Sequence, residues 1–271
     1  MATAHLACLD GVVMPAADAA IPATDEGLLR GDGVFEVLRL YGGRPFALEE
    51  HLARLDRSAT LLRLPIDPDA VRADVARLLA AAGGEPDPGL LRVVLTRGGR
   101  RLLLTEELQA HAPAIRLATV TYAPVRLLDG IKSLSYAANM LATRLAHEWS
   151  GPGGADEALL VTPHGRVLEA PTSSIFWVAD GVVRTPPLSD HILASITRAL
   201  VIELSSAEER SCTPDDLFAA DEAFLASTTR EIQAVASIGG VRISEDAPGP
   251  VTHDLAARLH ERILRELDAA A

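Results

Sequence analysis

The chain has 271 residues, room for one large core or two closely packed lobes but short for two full-sized domains. Apolar residues make up 48% and charged residues 23%, without charge blocks, which excludes a disordered chain; a net charge of -12 excludes the clustered basic face that nucleic-acid backbones require and points to small-molecule ligands. The segment from Met1 to Asp10 lacks the basic stretch and apolar run of a signal peptide, and no run of about 18 uncharged apolar residues occurs, so a cytoplasmic protein is expected. Cys8 and Cys212 are isolated and read as buried free thiols; no metal site is expected.

In chain order, Gly33 to Tyr41 is a β-rich run, and Leu48, Leu52, Leu55, Ala59 and Leu62 recur at helical spacing. A Pro/Gly cluster from Gly83 to Gly89 separates a second helix, about Asp69 to Ala82, from apolar strands at Leu90 to Thr96 and Ala114 to Thr121. This gives a small N-terminal α/β domain, 1–121, followed by a linker at 122–129. The second domain, 130–271, opens with a helical segment from Leu134 to Trp149 and a loop at Gly151 to Gly154. Strands are expected at Glu157 to Val161, Val167 to Glu169, Ser174 to Val178 and Val182 to Thr185, the last two joined by an Asp180-Gly181 turn. Helices at about Ile196 to Ser206 and Thr252 to Leu267 flank a strand near Ala223 to Ser227. The class expected is α/β (α+β), with two lobes, the larger a C-terminal β-pseudobarrel with flanking helices.

One count stands out: of 25 basic residues, 24 are arginine and one, Lys132, is lysine. A guanidinium stays protonated and cannot act as an amine nucleophile, so a lysine kept in such a chain suggests amine chemistry such as a Schiff base. Composition alone leaves open the alternative of one chance lysine on a solvated surface.

Ten short motifs then follow in order: Gly31-Asp32-Gly33-Val34-Phe35-Glu36, Glu50-His51-Leu52-Ala53-Arg54-Leu55, Ile131-Lys132-Ser133-Leu134, Asp156-Glu157-Ala158-Leu159-Leu160, Gly165-Arg166-Val167-Leu168-Glu169, Thr185-Pro186-Pro187-Leu188, Ile192 to Arg198, Ala220-Asp221-Glu222, Ser227 to Ile232, and Pro248-Gly249-Pro250-Val251-Thr252. Together they resemble the class IV aminotransferases, the pyridoxal-phosphate (PLP) enzymes of fold type IV, over nearly the whole chain. The resemblance implies PLP as cofactor and Lys132 as its Schiff-base lysine and proton shuttle. It implies Glu169 as the carboxylate that keeps the ring nitrogen protonated, and Arg54, Ile196, Thr197 and Thr228 as phosphate contacts, an arginine and a helix N-terminus suiting an anion. Tyr136, four residues after Lys132, is expected on the same helical face, within reach of the cofactor's phenolic oxygen. Phe35, Val37, Thr172 and Thr229 are expected around the substrate. A homodimer is implied too, since in this family the active site lies at a lobe and subunit boundary.

Two departures bear on substrate. The Ser-x-x-Asn found after the glutamate in relatives is here Pro171-Thr172-Ser173-Ser174, and Thr96-Arg97-Gly98 is followed by Gly99-Arg100-Arg101-Leu102, without the Arg-x-His pair of familiar D-amino-acid transaminases. Arg30 and Arg100 are the candidates for a substrate carboxylate. The reaction expected is two-step transfer of an amino group from a D-amino acid or (R)-amine to a keto acid. Branched-chain L-amino-acid transfer, aminodeoxychorismate lyase activity and a non-enzymatic binding protein are the alternatives. Val37 argues against the lyase, because it stands where lyases of this group often place a threonine and has no proton to give.

Overall fold

The computed structural model describes residues 5–83, 88–244 and 247–269; residues 84–87 of the expected Gly83–Gly89 loop lie outside the described residues. Two compact units divide the chain, the first comprising Met1–Gln109 and Ile131–Tyr136, the second Ala110–Gly130 and Ala137–Ala269.

The first unit is an antiparallel sheet of β1 (Leu6–Leu9), β2 (Val12–Pro15), β3 (Gly33–Tyr41), β4 (Arg44–Pro45), β5 (Gly89–Thr96) and β6 (Arg101–Glu107), in the order β2-β1-β6-β5-β3-β4. With it go α1 (Glu26–Arg30), α2 (Leu48–Leu61) and α3 (Pro68–Ala82). Asp67 caps α3, its side chain accepting from the amides of Asp69 and Ala70, and Pro68 opens the helix where a missing N–H costs nothing. Alternation along β3 sends Val34, Leu38 and Leu40 into a core with Leu52, Leu55 and Ala59 of α2 and Val71, Val75 and Leu78 of α3. Each such leucine or valine contributes roughly 1.5–3 kcal/mol on burial. The Thr96-Arg97-Gly98 motif is structural. Thr96 Oγ1 donates to Asp25, the N-cap of α1, while Arg97 pairs with Asp32 and donates to the carbonyls of Leu62 and Arg63.

The second unit is built on an eight-stranded mixed sheet: β7 (Ala114–Thr121), β8 (Glu157–Val161), β9 (Ser174–Ala179), β10 (Val182–Thr185), β11 (Glu208–Glu209), β12 (Glu222–Ser227), β13 (Glu231–Ile238) and β14 (Val241–Arg242). The order is β11-β10-β9-β12-β13-β7-β8, with β14 on β13. Helices α4 (Ala137–His147), α5 (Ile196–Ser205), α6 (Pro214–Phe218) and α7 (Pro250–Ala269) accompany it. The rings of Phe176 and Phe224, opposite each other on β9 and β12, stack at 5.1 Å. Cys8 and Cys212 are buried and free, as expected; burial, then Asp216 and Asp190, push the Cys212 thiol up to about 12.

The architecture is the expected two-lobed α/β class, with several differences in detail. β7 leaves the first unit because it pairs in parallel with β8 and β13, and Ile131–Tyr136 joins that unit rather than opening the second. The helix expected from Leu134 starts at Ala137, since Ser133 bridges to Val34 and the chain then bends at Leu134, whose carbonyl accepts the Tyr136 amide. Val167 to Glu169 makes only isolated bridging contacts, and β1, β2, β6 and β13 have no counterpart among the expected strands.

The motif around Gly249 has a mechanical basis. The buried Glu222 accepts hydrogen bonds from the amides of Val251 and Thr252 and from the Thr252 hydroxyl, so its carboxylate serves the orphan donors and positive end of α7. A Cβ at Gly249 would lie 2.3 Å from the Glu222 carboxyl carbon. Gly249→Ala should therefore cost about 1–3 kcal/mol, seen as a thermal midpoint several degrees lower; an unchanged midpoint would show that the helix start relaxes freely.

Candidate active site

Lys132 is held by the sheet edge of the first unit. The Phe35 amide donates to the Lys132 carbonyl (3.0 Å), the Leu134 amide to the Gly33 carbonyl (2.9 Å), and the Lys132 amide to Ser58 Oγ of α2 (3.2 Å). The segment thus extends the ladder along β3, at the end that the two-residue β4 does not reach. The Lys132 Nζ stands 4.3 Å from the centroid of the Phe35 ring and 5.9 Å from that of Tyr136, and the two rings meet edge to face at 5.4 Å. Tyr136 therefore comes near the amine through Phe35 and a bend at Leu134, and the shared helical face expected for it is absent.

On the opposite face of β3, Glu36 points among the core residues and is paired twice. Arg54 donates through Nε (2.6 Å) and Nη2 (2.7 Å), and His51 Nδ1 lies 2.8 Å from the same carboxylate. All three are at most 5% exposed. Burial pushes the Glu36 carboxyl up, but the hydrogen bonds and charges of Arg54 and His51 prevail and hold it at about 2. His51 is pushed below its ordinary value by burial, with Arg54 and Lys132 adding to the effect against the pull of Glu36. An ionised Glu36 only accepts, so a neutral His51 carries its proton on Nδ1. Arg54 is thus a buried, oriented cation and not a helix-surface charge.

In the second unit Glu169 sits beside β8, where the Leu160 amide donates to its carbonyl (2.9 Å), and its Oε1 accepts the Leu193 amide (3.1 Å). Burial and then the Glu169 charge raise the Tyr122 hydroxyl above its usual range, which places the tyrosine in the field of the carboxylate. Ser195 caps α5, its side chain accepting from the Arg198 amide; the amides of Ile196 and Thr197, in the first turn, have no carbonyl one turn earlier to meet. Thr228 and Thr229 form the turn between β12 and β13, with Ser227 Oγ 3.5 Å from Thr229 Oγ1.

The remaining candidates are dispersed. Val37 shares the Phe35 face of β3 and is half-buried. Thr172 is exposed in the turn before β9. Arg30 is an exposed side chain paired with Glu26 one turn back on α1. Arg100 pairs with Asp10 and lines a cavity of about 190 Å³ with Pro65, Ile66, Asp67 and Thr96, none of which touches Lys132 in the contacts above. Glu36 and His51 had no expected role, yet the pattern contained a signal: a carboxylate in the inward register of Val34, Leu38 and Leu40 must be paired. The Leu193 amide and Tyr122 carried no such signal.

The donor set suits PLP. The first unit offers an amine beside aromatic rings and a buried guanidinium, and the second offers a half-buried carboxylate and a capped helix N-terminus. The segment after Glu169 adds two buried hydroxyls, of Ser173 and of Ser174 at the start of β9, that have no protein partner. Among the described residues no cluster could hold a metal ion.

Comparison with known proteins gives a consistent picture. The family described as Amino-transferase class IV matches residues 33–238. A D-alanine aminotransferase of Bacillus licheniformis is 33% identical over 95% of this chain and 96% of its own. Among solved structures, a fold IV-transaminase from Curtobacterium pusillum has a TM-score of 0.84 at 32% identity, covering 97% of this chain and 100% of the other. A branched-chain aminotransferase from Thermoproteus uzoniensis, solved with norvaline, has a TM-score of 0.84 at 28% identity, covering 96% and 94%.

The buried triad makes stability depend on pH. Glu36 titrates below its unfolded value, so its contribution is complete above pH 4.5 and is lost as pH falls toward 2, about 3 kcal/mol in all. His51, also lowered, adds a loss that begins as pH falls below 6.5. Chemical unfolding from pH 7 to 2 should show the parent weakening in both windows, and Glu36→Gln less stable at pH 7 but flatter below 4.5. Parallel curves for parent and variant below pH 4.5 would exclude this origin.

Proposed function

We propose, for a chain that belongs to the class IV aminotransferase family and is a PLP-dependent aminotransferase, that the donor is a D-amino acid or (R)-amine, and that its amino group passes to a keto acid in two half-reactions. The observation that carries the reading is the fixing of the only lysine against β3, with its amine over Phe35. Bound PLP supplies an aldehyde for amines and a ring that accepts electrons when its nitrogen is protonated. Lys132 provides the amine that holds the cofactor and, once displaced, takes and returns the substrate's Cα proton. Glu169, steadied by the Leu193 amide, keeps the ring nitrogen's proton. Arg54, oriented by Glu36, the first amides of α5 with Thr197, and Thr228 hold the phosphate; Phe35, Tyr136 and Val37 give the amine an apolar border. Because one amine moves the proton, it moves on one side of the cofactor, and the seating of the donor's carboxylate and side chain then decides which enantiomer presents its Cα proton to that side. The D-alanine aminotransferase relative supports the D-series, while the branched-chain neighbour keeps L-amino acids as the second reading. The lyase is disfavoured because Val37 offers no proton. The reading carries a cytoplasmic homodimer, and Leu28 and Leu29 of α1, 65% and 59% exposed, give a second copy an apolar surface to cover.

Three measurements test the proposal. Borohydride should fix a phosphopyridoxyl group on the parent and none on Lys132→Arg; a modified variant would remove Lys132 from the role. Glu169→Gln should slow the single-turnover half-reaction by about a hundredfold or more, while cofactor retention changes little. A panel of D-amino acids, L-amino acids and (R)-amines with a keto acid should show turnover in the D or (R) series. Turnover confined to L-amino acids, or p-aminobenzoate release from aminodeoxychorismate without amino transfer, would overturn the substrate assignment.

A further inference from the structure

Five residues of the second unit form a continuous polar path that the functions assigned above do not use. Arg230, at the end of the Thr228–Thr229 turn, donates through Nη2 to Glu157 on β8 and through Nη1 to Gln233 on β13 (2.6 Å). The other oxygen of Glu157 accepts from Thr143 Oγ1 of α4 (3.0 Å), and one turn earlier Asn139 Nδ2 donates to the carbonyl of Pro171 (3.0 Å), two residues from Glu169. The side chains of Arg230 and Glu157 are 10% and 5% exposed. The turn joins strands whose register ends at Ser227 and Glu231, so only the three residues 228–230 span it. Within it the Arg230 amide makes a long 3.4 Å bond to Ser227 Oγ.

We propose that the buried Arg230–Glu157 pair is a positioning device that holds the Thr228–Thr229 turn in fixed relation to the loop carrying Glu169. The inference rests on the reading that this turn contacts the cofactor phosphate and substrate. A buried pair does little for net stability, because the desolvation of two charges offsets most of their attraction, and apolar residues of similar volume commonly serve as well. What a pair with this geometry does provide is direction: a guanidinium fork fixed by β8 on one side and β13 on the other leaves the backbone at residue 230 one position. Thr143 and Asn139 carry the same constraint through one face of α4 to the Pro171 carbonyl. The two elements that would grip the phosphate and the ring nitrogen are therefore set against a common frame. Arg230 and Glu157 act through those elements and are positioning residues, not catalytic ones.

The test uses full-length protein stripped of PLP and titrated with it, in parallel with thermal unfolding and donor kinetics. The double variant Glu157→Gln/Arg230→Met removes both charges together, so its thermal midpoint should stay within a few degrees of the parent. Its PLP dissociation constant and donor KM should each rise by about tenfold or more, with kcat changed less. Glu157→Asp keeps both charges and withdraws the carboxylate by one methylene; it should fall between the two, and it decides the matter if the double variant does not fold. Parental PLP affinity and KM in the folded double variant, or in Glu157→Asp if that variant alone folds, would overturn the positioning role. Thr228→Val tests the underlying reading separately: weaker PLP binding upholds it, and unchanged binding removes the turn from the phosphate site and the inference with it.

Discussion

Backbone hydrogen bonds between Gly33–Phe35 and Lys132–Leu134 put the amine where it stands, and they require Gly33 to have no side chain. A Cβ there would lie 2.3 Å from the Leu95 carbonyl oxygen and 2.6 Å from a methyl of Leu134, so a larger residue would collide with the backbone of β5 beside β3 and crowd the Leu134 side chain of the lysine segment. The consequences run outward from this contact. Because Phe35 bonds to Lys132 through its own amide, its ring is fixed under the amine. Because β3 alternates, placing Phe35 and Val37 on one face commits Glu36 to the other, among the helices.

That second consequence is a problem of charge. A carboxylate at 1% exposure is tolerable only if its lone pairs are taken, and α2 supplies Arg54 and His51 one helical turn apart to take them. The same solution recurs with Glu157 against Arg230 and with Glu222 against the first amides of α7. Arginine suits these sites, since its fork matches a carboxylate and is less strongly hydrated than an ammonium. Lysine stands once in the chain, at the position proposed for an amine that can lose its proton. The composition and the structure thus express one rule.

Legibility in the sequence follows the same physics. Periodicity identified α2, α3, β5, β7 and β10 to within a residue or so, because each has one face in a core, and β8, buried on both faces, was legible as a short apolar run. β6 was hidden by its charged ends, and β13 by mixed residues in a strand flanked on both sides. The helix from Leu134 failed at its start, since local propensity has no knowledge of Gly33 and Val34, a hundred residues away, claiming the backbone of Leu134 and Ser133. The two compact units depart from chain order for the same reason: strands join sheets by hydrogen bonding, not by sequence position. At the candidate site, Lys132 was legible as a candidate from composition and motif together, and Glu169 and Arg54 from their motifs. The bonds that orient them were not, because Leu193 contributes a backbone amide, and Ser58 a hydroxyl from another element.

The same distinction between buried and exposed arginines bears on the substrate carboxylate, for which the chain lacks the Arg-x-His pair. Arg54, Arg198 and Arg230 are committed to buried acceptors, and pulling one away would leave a carboxylate or carbonyl without its donor at a cost of several kcal/mol. Exposed pairs are worth about 0–1 kcal/mol, so Glu26 can release Arg30 at little expense when another carboxylate arrives, while the half-buried Asp10, which also accepts the Arg101 amide, releases Arg100 at a larger cost. Location then separates these two. Arg100 borders the cavity around Pro65 and Thr96, whereas Arg30 ends α1 immediately before Gly31, whose carbonyl accepts the hydroxyl of Ser135, three residues after the lysine. Of the two cations able to change partner, Arg30 is the one whose backbone is tied to the segment that presents the amine, and the case for a substrate carboxylate is stronger there than at Arg100.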